Sequence, residues 1–260
     1  MDAVSKTLYI PLYGKALVSR RGILLHDPKA EAIWEKEGFA LSGKAASRWL
    51  AFYMAMRARV FDQWTAERLK EMPEALVLHI GCGLDSRWER LNNTAHRWYD
   101  IDFPEVIRER RKYYSETEHY RMIEADMRQD AWKAEIPAGE DAVIVMEGVS
   151  MYFRPEELSA LLRSLRNHFR SVHILMDCYS TFAAKASRYK NPINEVGVTT
   201  VYGLDDPRAL AAEAGLTFAA EHDQTPTRLT AQLDPGERIV FSGLYAGRFA
   251  RKLYRLYEFQ

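Results

Sequence analysis

The chain is short of several features that would otherwise fix its class. Only two of its 260 residues are cysteine, Cys82 and Cys178, so no secreted disulfide framework is expected and a reduced, cytoplasmic protein is. No apolar run approaches the roughly 20 residues that a membrane span requires, and the N-terminal residues, with Asp2 and Lys6 among them, carry no evident signal peptide. Net charge is missing too, because Lys+Arg and Asp+Glu both number 36. That balance argues against nucleic acid or a membrane surface recognised by bulk charge. The local basic runs, Arg108 to Lys112 and Arg248 to Arg255, interleave with Tyr, Leu and Phe and read as solvated faces of amphipathic helices. No internal repeat or low-complexity segment occurs. The seven histidines are dispersed, with no Ser-His-Asp or metal-ligand spacing, so no metal is expected.

What is present is an alternation of strand and helix patterns in a chain with 47% apolar residues, enough for one substantial α/β core. Strands are expected near 75–80, 97–101, 120–124, 141–146, 172–176, 216–220 and 254–259. Helices are expected at 104–114, from Pro155, from Pro207 to about Glu213, and from Asp234 to about Leu253. Leu158, Leu161, Leu162, Leu165 and Phe169 recur at helical spacing, with Glu156 and Glu157 in the first turn where the helix dipole favours them. The pattern predicts a doubly wound, seven-stranded, mostly parallel sheet. Residues 1–70 are read as a helical cap over the cofactor cleft and 71–260 as the core. An insertion near 180–202 is read as a lid or substrate element.

The run Leu76 to Arg87 carries the most information. A buried strand breaks into Gly81-Cys82-Gly83, where the first glycine allows a tight turn and the second lets a ligand approach main-chain N–H groups. A second strand ends in Asp102, placed to accept the two hydroxyls of a ribose, with Pro104 opening the next helix. Asp102 is preferred to Asp100 because it lies at the carboxyl end of the strand. The same residues also serve as plain turn chemistry and as a helix cap, and both readings stand at this point. A dinucleotide fits less well. Ser86 occupies the position of the third glycine, and Asp85 would repel a pyrophosphate by about 1 kcal/mol or more in a partly dry site. A cofactor without phosphates and with a positive centre suits this turn, and S-adenosylmethionine is such a molecule.

With these residues in view, the chain resembles the leucine carboxyl methyltransferase family, within it the bacterial branch related to the tetracenomycin polyketide O-methyltransferase. The resemblance rests on Gly81-Cys82-Gly83-Leu84-Asp85-Ser86-Arg87, on Asp102-Phe103-Pro104-Glu105-Val106, and on Glu147-Gly148-Val149-Ser150-Met151-Tyr152 before Pro155-Glu156-Glu157. Upstream, Arg57-Ala58-Arg59-Val60-Phe61-Asp62 and the opening Thr7 to Tyr13 add to it. It implies a Rossmann-like class I methyltransferase with S-adenosylmethionine as cofactor, methylating a carboxylate or hydroxyl oxygen of a small molecule, polyketide-like acceptors included. For the donor it implies Arg59, with Arg57 competing, on the methionine carboxylate, and Gly81 and Gly83 contributing backbone beside Asp85. It further implies Asp102 on the ribose, Asp126 and Met127 at the adenine, and Glu147 at the ammonium. Lys15 matches an N-terminal basic residue of the family.

His79 stands where many methyltransferases of this fold carry an acid, and it reads as a core histidine. Cys82 reads as a small turn residue, with a catalytic thiol as the alternative. Acceptor positioning is expected near Tyr152 and Tyr179, with Phe182 and Tyr189 as further ring contacts. Two other readings remain at this level: a nicotinamide-dependent oxidoreductase on the same sheet, and a non-catalytic module that binds the donor.

Overall fold

The architecture comes from a computed structural model, which describes residues 8–38, 41, 43–92, 94–187 and 200–260. Three helices precede the sheet: α1 (Tyr9–Arg20), α2 (Pro28–Glu37) and α3 (Arg48–Glu71). There follow β1 (Leu76–Ile80), α4 (Arg87–Leu91), β2 (Trp98–Asp102), α5 (Pro104–Arg110), β3 (Tyr120–Glu124), β4 (Asp141–Met146), α6 (Pro155–His168), β5 (Ser171–Tyr179) and α7 (Thr181–Ser187). The chain closes with α8 (Pro207–Ala214), β6 (Phe218–His222), α9 (Thr227–Thr230), α10 (Pro235–Phe241), α11 (Ala250–Leu253) and β7 (Tyr254–Phe259).

The strands form one seven-stranded sheet in the order β3-β2-β1-β4-β5-β7-β6. β1 to β5 pair in parallel, while β7 runs antiparallel to both β5 and β6. The side-chain period of two divides the core between the two faces. Val77, Val143, Val145 and Leu175 pack with Phe61 and Trp64 of α3. Leu76, Leu78, Ile144 and Met146 face the leucine stripe of α6. Each such leucine, taken fully from water, contributes about 1.5–3 kcal/mol. The sheet is therefore covered on both faces, which is why its central strands read as continuous apolar runs.

The expected element order holds, with three differences that matter. β5 runs on to Tyr179, three residues past its apolar core, because Asp177, Cys178 and Tyr179 pair with Leu256, Arg255 and Tyr254 of β7. The single helix expected from Asp234 to Leu253 is broken into α10, a π-helical turn at Ser242–Ala246, and α11. Gly243 and Gly247 fall in that break, where each lowers helix propensity by about 1 kcal/mol. The strand expected at 216–220 starts two residues later, after Gly215 ends α8 in a left-handed conformation. Of the expected 180–202 insertion, α7 is helical, and residues 188–199, Tyr189 included, lie outside the described residues.

Candidate functional site

The carboxyl ends of β1 and β4 open into a cavity of about 360 Å³, roofed by α1, α3 and the segment before β7. The turn after β1 forms its floor. Gly81 has φ +70°, and a Cβ there would lie 2.7 Å from the Val149 side chain. Only glycine keeps both this backbone and this approach. Gly83 also sits at positive φ, and its N–H donates to Asp102 Oδ2 at 2.8 Å.

Helix α3 presents Leu50, Tyr53, Met54 and Arg57 to the cavity, the i, i+3, i+4, i+7 stripe of one helix face. Arg57 therefore lies on the cavity wall, with Nε donating to Glu147 Oε1 at 2.9 Å and NH1 reaching both Tyr254 Oη and Asp177 Oδ2 at 2.9 Å. Arg59 is two residues further on, turned by about 200° at 3.6 residues per turn, and it does not line the cavity. Of the two arginines weighed from the sequence, helix geometry brings Arg57 and not Arg59 to the cavity.

Around Arg57 the structure assembles one continuous ionic network that no single motif announces. Lys15 pairs with Asp85 at 2.9 Å. Asp85 also faces Arg90 at 2.8 Å and Arg87 at 3.3 Å. Arg90 continues to Asp27 and Asp62, and Arg87 to Asp62 and Glu147. Arg57 then links Glu147 to Asp177. Five carboxylates, Asp27, Asp62, Asp85, Glu147 and Asp177, thereby meet four cations, Lys15, Arg57, Arg87 and Arg90. All nine side chains are nearly removed from solvent. Burial alone would raise the Asp85 carboxyl, yet Arg90, Lys15 and Arg87 hold it well below its ordinary pKa. Glu147 is held down in the same way by Arg57 and Arg87. For Asp177 the balance differs: burial raises it, with Arg57 opposing.

The remaining expected residues fall into two groups. Asp102 is buried beside Gly83 at the end of β2; desolvation pushes its pKa up to about 6, against two backbone N–H bonds from Gly83 and Phe103. Asp126 and Met127 lie at the neighbouring end of β3, beyond the residues that line the cavity. Asp126 is engaged by Arg128 at 2.8 and 2.7 Å. Tyr152 and Tyr179 line the cavity, whereas Phe182 is 64% exposed and packs edge-on against Phe249. Cys82 lies in the wall with its thiol pushed far up by burial, which argues for a turn residue over a nucleophile. His79 is fixed between Arg87 NH1, 3.0 Å from its Nε2, and Asp100 Oδ1, 3.3 Å from its Nδ1. Burial lowers its pKa, so the ring is a neutral structural link. Asp100 is balanced by Arg110.

A family model described as "Leucine carboxyl methyltransferase" matches residues 4–166, most of the chain, including the turns after β1 and β4 that line this cavity. The chain belongs to the leucine carboxyl methyltransferase family. It is an S-adenosylmethionine-dependent methyltransferase. It is 29% identical over 261 residues to the tetracenomycin polyketide synthesis O-methyltransferase TcmP of Streptomyces glaucescens, covering 98% of this chain and 97% of that one. It is 30% identical over 182 residues to the S-adenosyl-L-methionine-dependent methyltransferase dpfgK of Gibberella zeae, covering 64% of this chain and 61% of that one. Among solved structures, a duf574 family protein from Streptomyces avermitilis superposes with a TM-score of 0.58 at 15% identity, covering 90% and 89% of the two chains. Magnesium protoporphyrin IX methyltransferase from Synechocystis, solved with bound SAH, gives 0.52 at 14% identity, covering 88% and 92%. These two likenesses speak to the fold. Among the described residues no helix is long and apolar enough to cross a membrane, and no group of His, Cys, Asp and Glu is arranged to hold a metal.

The residues fit the donor on their own chemistry. The glycine turn lines the cavity with main chain, a buried carboxylate at Asp102 lacks a cation of its own, and the network holds one more acid than base. A molecule with a net positive charge and a diol is what such a cleft accepts.

Proposed function

We propose that the protein methylates a carboxylate oxygen of an apolar, ring-bearing small molecule. When bound, S-adenosylmethionine supplies a methyl group already activated by its sulfonium. The chain's own residues then have to bind, orient and exclude water, and well-oriented pairs reach effective molarities of about 10⁵–10⁸ M. In this reading Arg57 and Lys15 hold the donor's carboxylate, Glu147 its ammonium, Gly81 and Gly83 its backbone-facing edge, and Asp102 its ribose. Asp126 and Met127 border the adenine. The three helices before β1 act as the cap.

The observation that carries the choice of acceptor is the state of the groups lining the cavity. Among the described residues there, both carboxylates, Asp85 and Glu147, are tied to arginine or lysine, and the only imidazole, His79, is fixed between Arg87 and Asp100. A phenol or alcohol acceptor would need a base with a pKa near neutrality. A carboxylate is anionic already and needs none. The acceptor end is lined by rings: Tyr53 lies 5.1 Å from Tyr245, and Tyr179 lies 4.7 Å from Tyr254. Such a wall suits a flat apolar acceptor.

The test is transfer of tritium from the labelled donor methyl to a panel of aromatic carboxylic acids and matched phenols. Label released as volatile methanol by mild base is expected. Label that survives base in an ether would overturn the carboxylate reading.

A further inference from the structure

Asp177 belongs to no motif that announced the site, yet it ties three parts of the site together. Its Oδ1 accepts from the Gly148 N–H at 2.7 Å, which fixes the turn carrying Glu147. Its Oδ2 accepts from the Tyr254 hydroxyl and from Arg57 NH1. The three groups bonded to this fully buried carboxyl, the Gly148 N–H, the Tyr254 hydroxyl and the Arg57 guanidinium, are all donors, the arrangement of an ionised carboxylate. Five carboxylates against four cations leave this network one negative charge in excess, and Asp177, which the donor reading leaves without a ligand contact, is an acid whose neutralisation would cancel it.

We propose that Asp177 is a positioning residue that orients Arg57 directly and through Tyr254 and adds to the net negative charge of the site, by which it prefers the cationic methyl donor to its uncharged product. The inference rests on the donor reading above. S-adenosylmethionine carries a net charge of +1 at neutral pH and S-adenosylhomocysteine none, because transfer removes the sulfonium charge. A cleft walled by a buried network with one surplus carboxylate therefore holds the donor more tightly and lets the product go. A unit charge felt on the order of 10 Å away at an effective dielectric near 20 corresponds to about a tenfold difference in affinity. Tyr254 contributes position without charge, since its hydroxyl accepts from Arg57 and donates to Asp177.

The experiment is calorimetric titration of the whole protein with S-adenosylmethionine and, separately, with S-adenosylhomocysteine. Wild-type protein is expected to bind the donor about tenfold more tightly than the product. Asp177→Asn, which keeps the shape and an acceptor for Gly148, is expected to bring the ratio of the two Kd values toward one. Tyr254→Phe is expected to weaken both ligands while leaving the ratio unchanged. A purely structural role for Asp177 would weaken both ligands equally and overturn the proposal. Product binding as tight as donor binding in the wild type would overturn it with no variant needed. Failure of both ligands to bind wild-type protein would instead overturn the assignment of the donor site, and this inference with it.

Discussion

Arg57 Nε donates to Glu147 Oε1 at 2.9 Å, across 90 residues of sequence. The contact joins a helix that precedes the sheet to the turn that follows its fourth strand. Arg57→Ala is expected to weaken S-adenosylhomocysteine binding by about 1–3 kcal/mol, the scale of a lost charge-assisted hydrogen bond. Arg59→Ala should leave it within twofold, since that side chain does not line the cavity. Titration calorimetry on both variants decides between them, and an effect confined to Arg59→Ala would return the role to that residue.

Gly148 has φ +73°, and a Cβ there would lie 3.2 Å from Arg57 NH2. Gly148→Ala therefore meets both backbone strain of roughly 1–2 kcal/mol and a guanidinium that must move. Lower thermal stability and weaker donor binding are expected together. Unchanged affinity would show that Arg57 shifts without consequence.

At Gly81 the crowding is with a side chain, so its two parts can be separated. Gly81→Ala should destabilise the protein, and adding Val149→Ala should recover the steric share but not the part due to φ +70°. Urea denaturation of the two single variants and the double variant measures the coupling. Strict additivity would contradict the contact.

Asp102 gives the binding reaction a pH dependence. Its pKa in the folded protein is pushed up to about 6 by burial, and the diol of the donor would donate to its ionised form. Ligand binding then favours loss of the proton, so affinity is expected to be full above pH 6 and to fall as the pH drops through about 6. Stability of the ligand-free protein runs the other way: a raised carboxyl pKa costs stability progressively as pH climbs from the unfolded value near 4 to about 6. Titrations of S-adenosylhomocysteine from pH 5 to 8 check the first statement. A flat profile in wild type, or a slope retained in Asp102→Asn, would remove Asp102 from the site.

Arg87 is fully buried and serves Asp62, Asp85 and Glu147. Arg87→Leu would leave Asp62 and Asp85 to Arg90 and Lys15, and Glu147 to Arg57, one buried cation short, and breaking a buried pair by removing one partner typically costs about 3–5 kcal/mol. Loss of that order in urea denaturation is expected, with or without ligand.

The sheet was legible in the sequence because its central strands are covered on both faces and so read as uninterrupted apolar runs, while Gly, Pro and acidic residues mark their ends. The motif turns were legible for the same local reason: Gly81 and Asp102 sit at strand ends. The choice between Arg57 and Arg59 was not, because it depends on which face of α3 meets the cavity, and a helix with buried residues all along it shows no clear face in its sequence. Asp177 and Tyr254 were hidden for a different reason. They meet only because β7 pairs antiparallel with β5, a long-range choice that neither local sequence records. Arg87 and Arg90 looked like the start of an ordinary helix; their buried partners include Asp62 on α3 and Asp27, just before α2.

The placement of β7 between β5 and β6 also bears on how the cavity is put together. Tyr254, which begins that strand, closes a bond to Arg57 over 197 positions. The glycine turn needs only neighbouring residues to form, whereas the surroundings of Arg57 are completed only when β7 pairs with β5. That wall of the cavity therefore depends on assembly of the whole sheet and cannot form ahead of it.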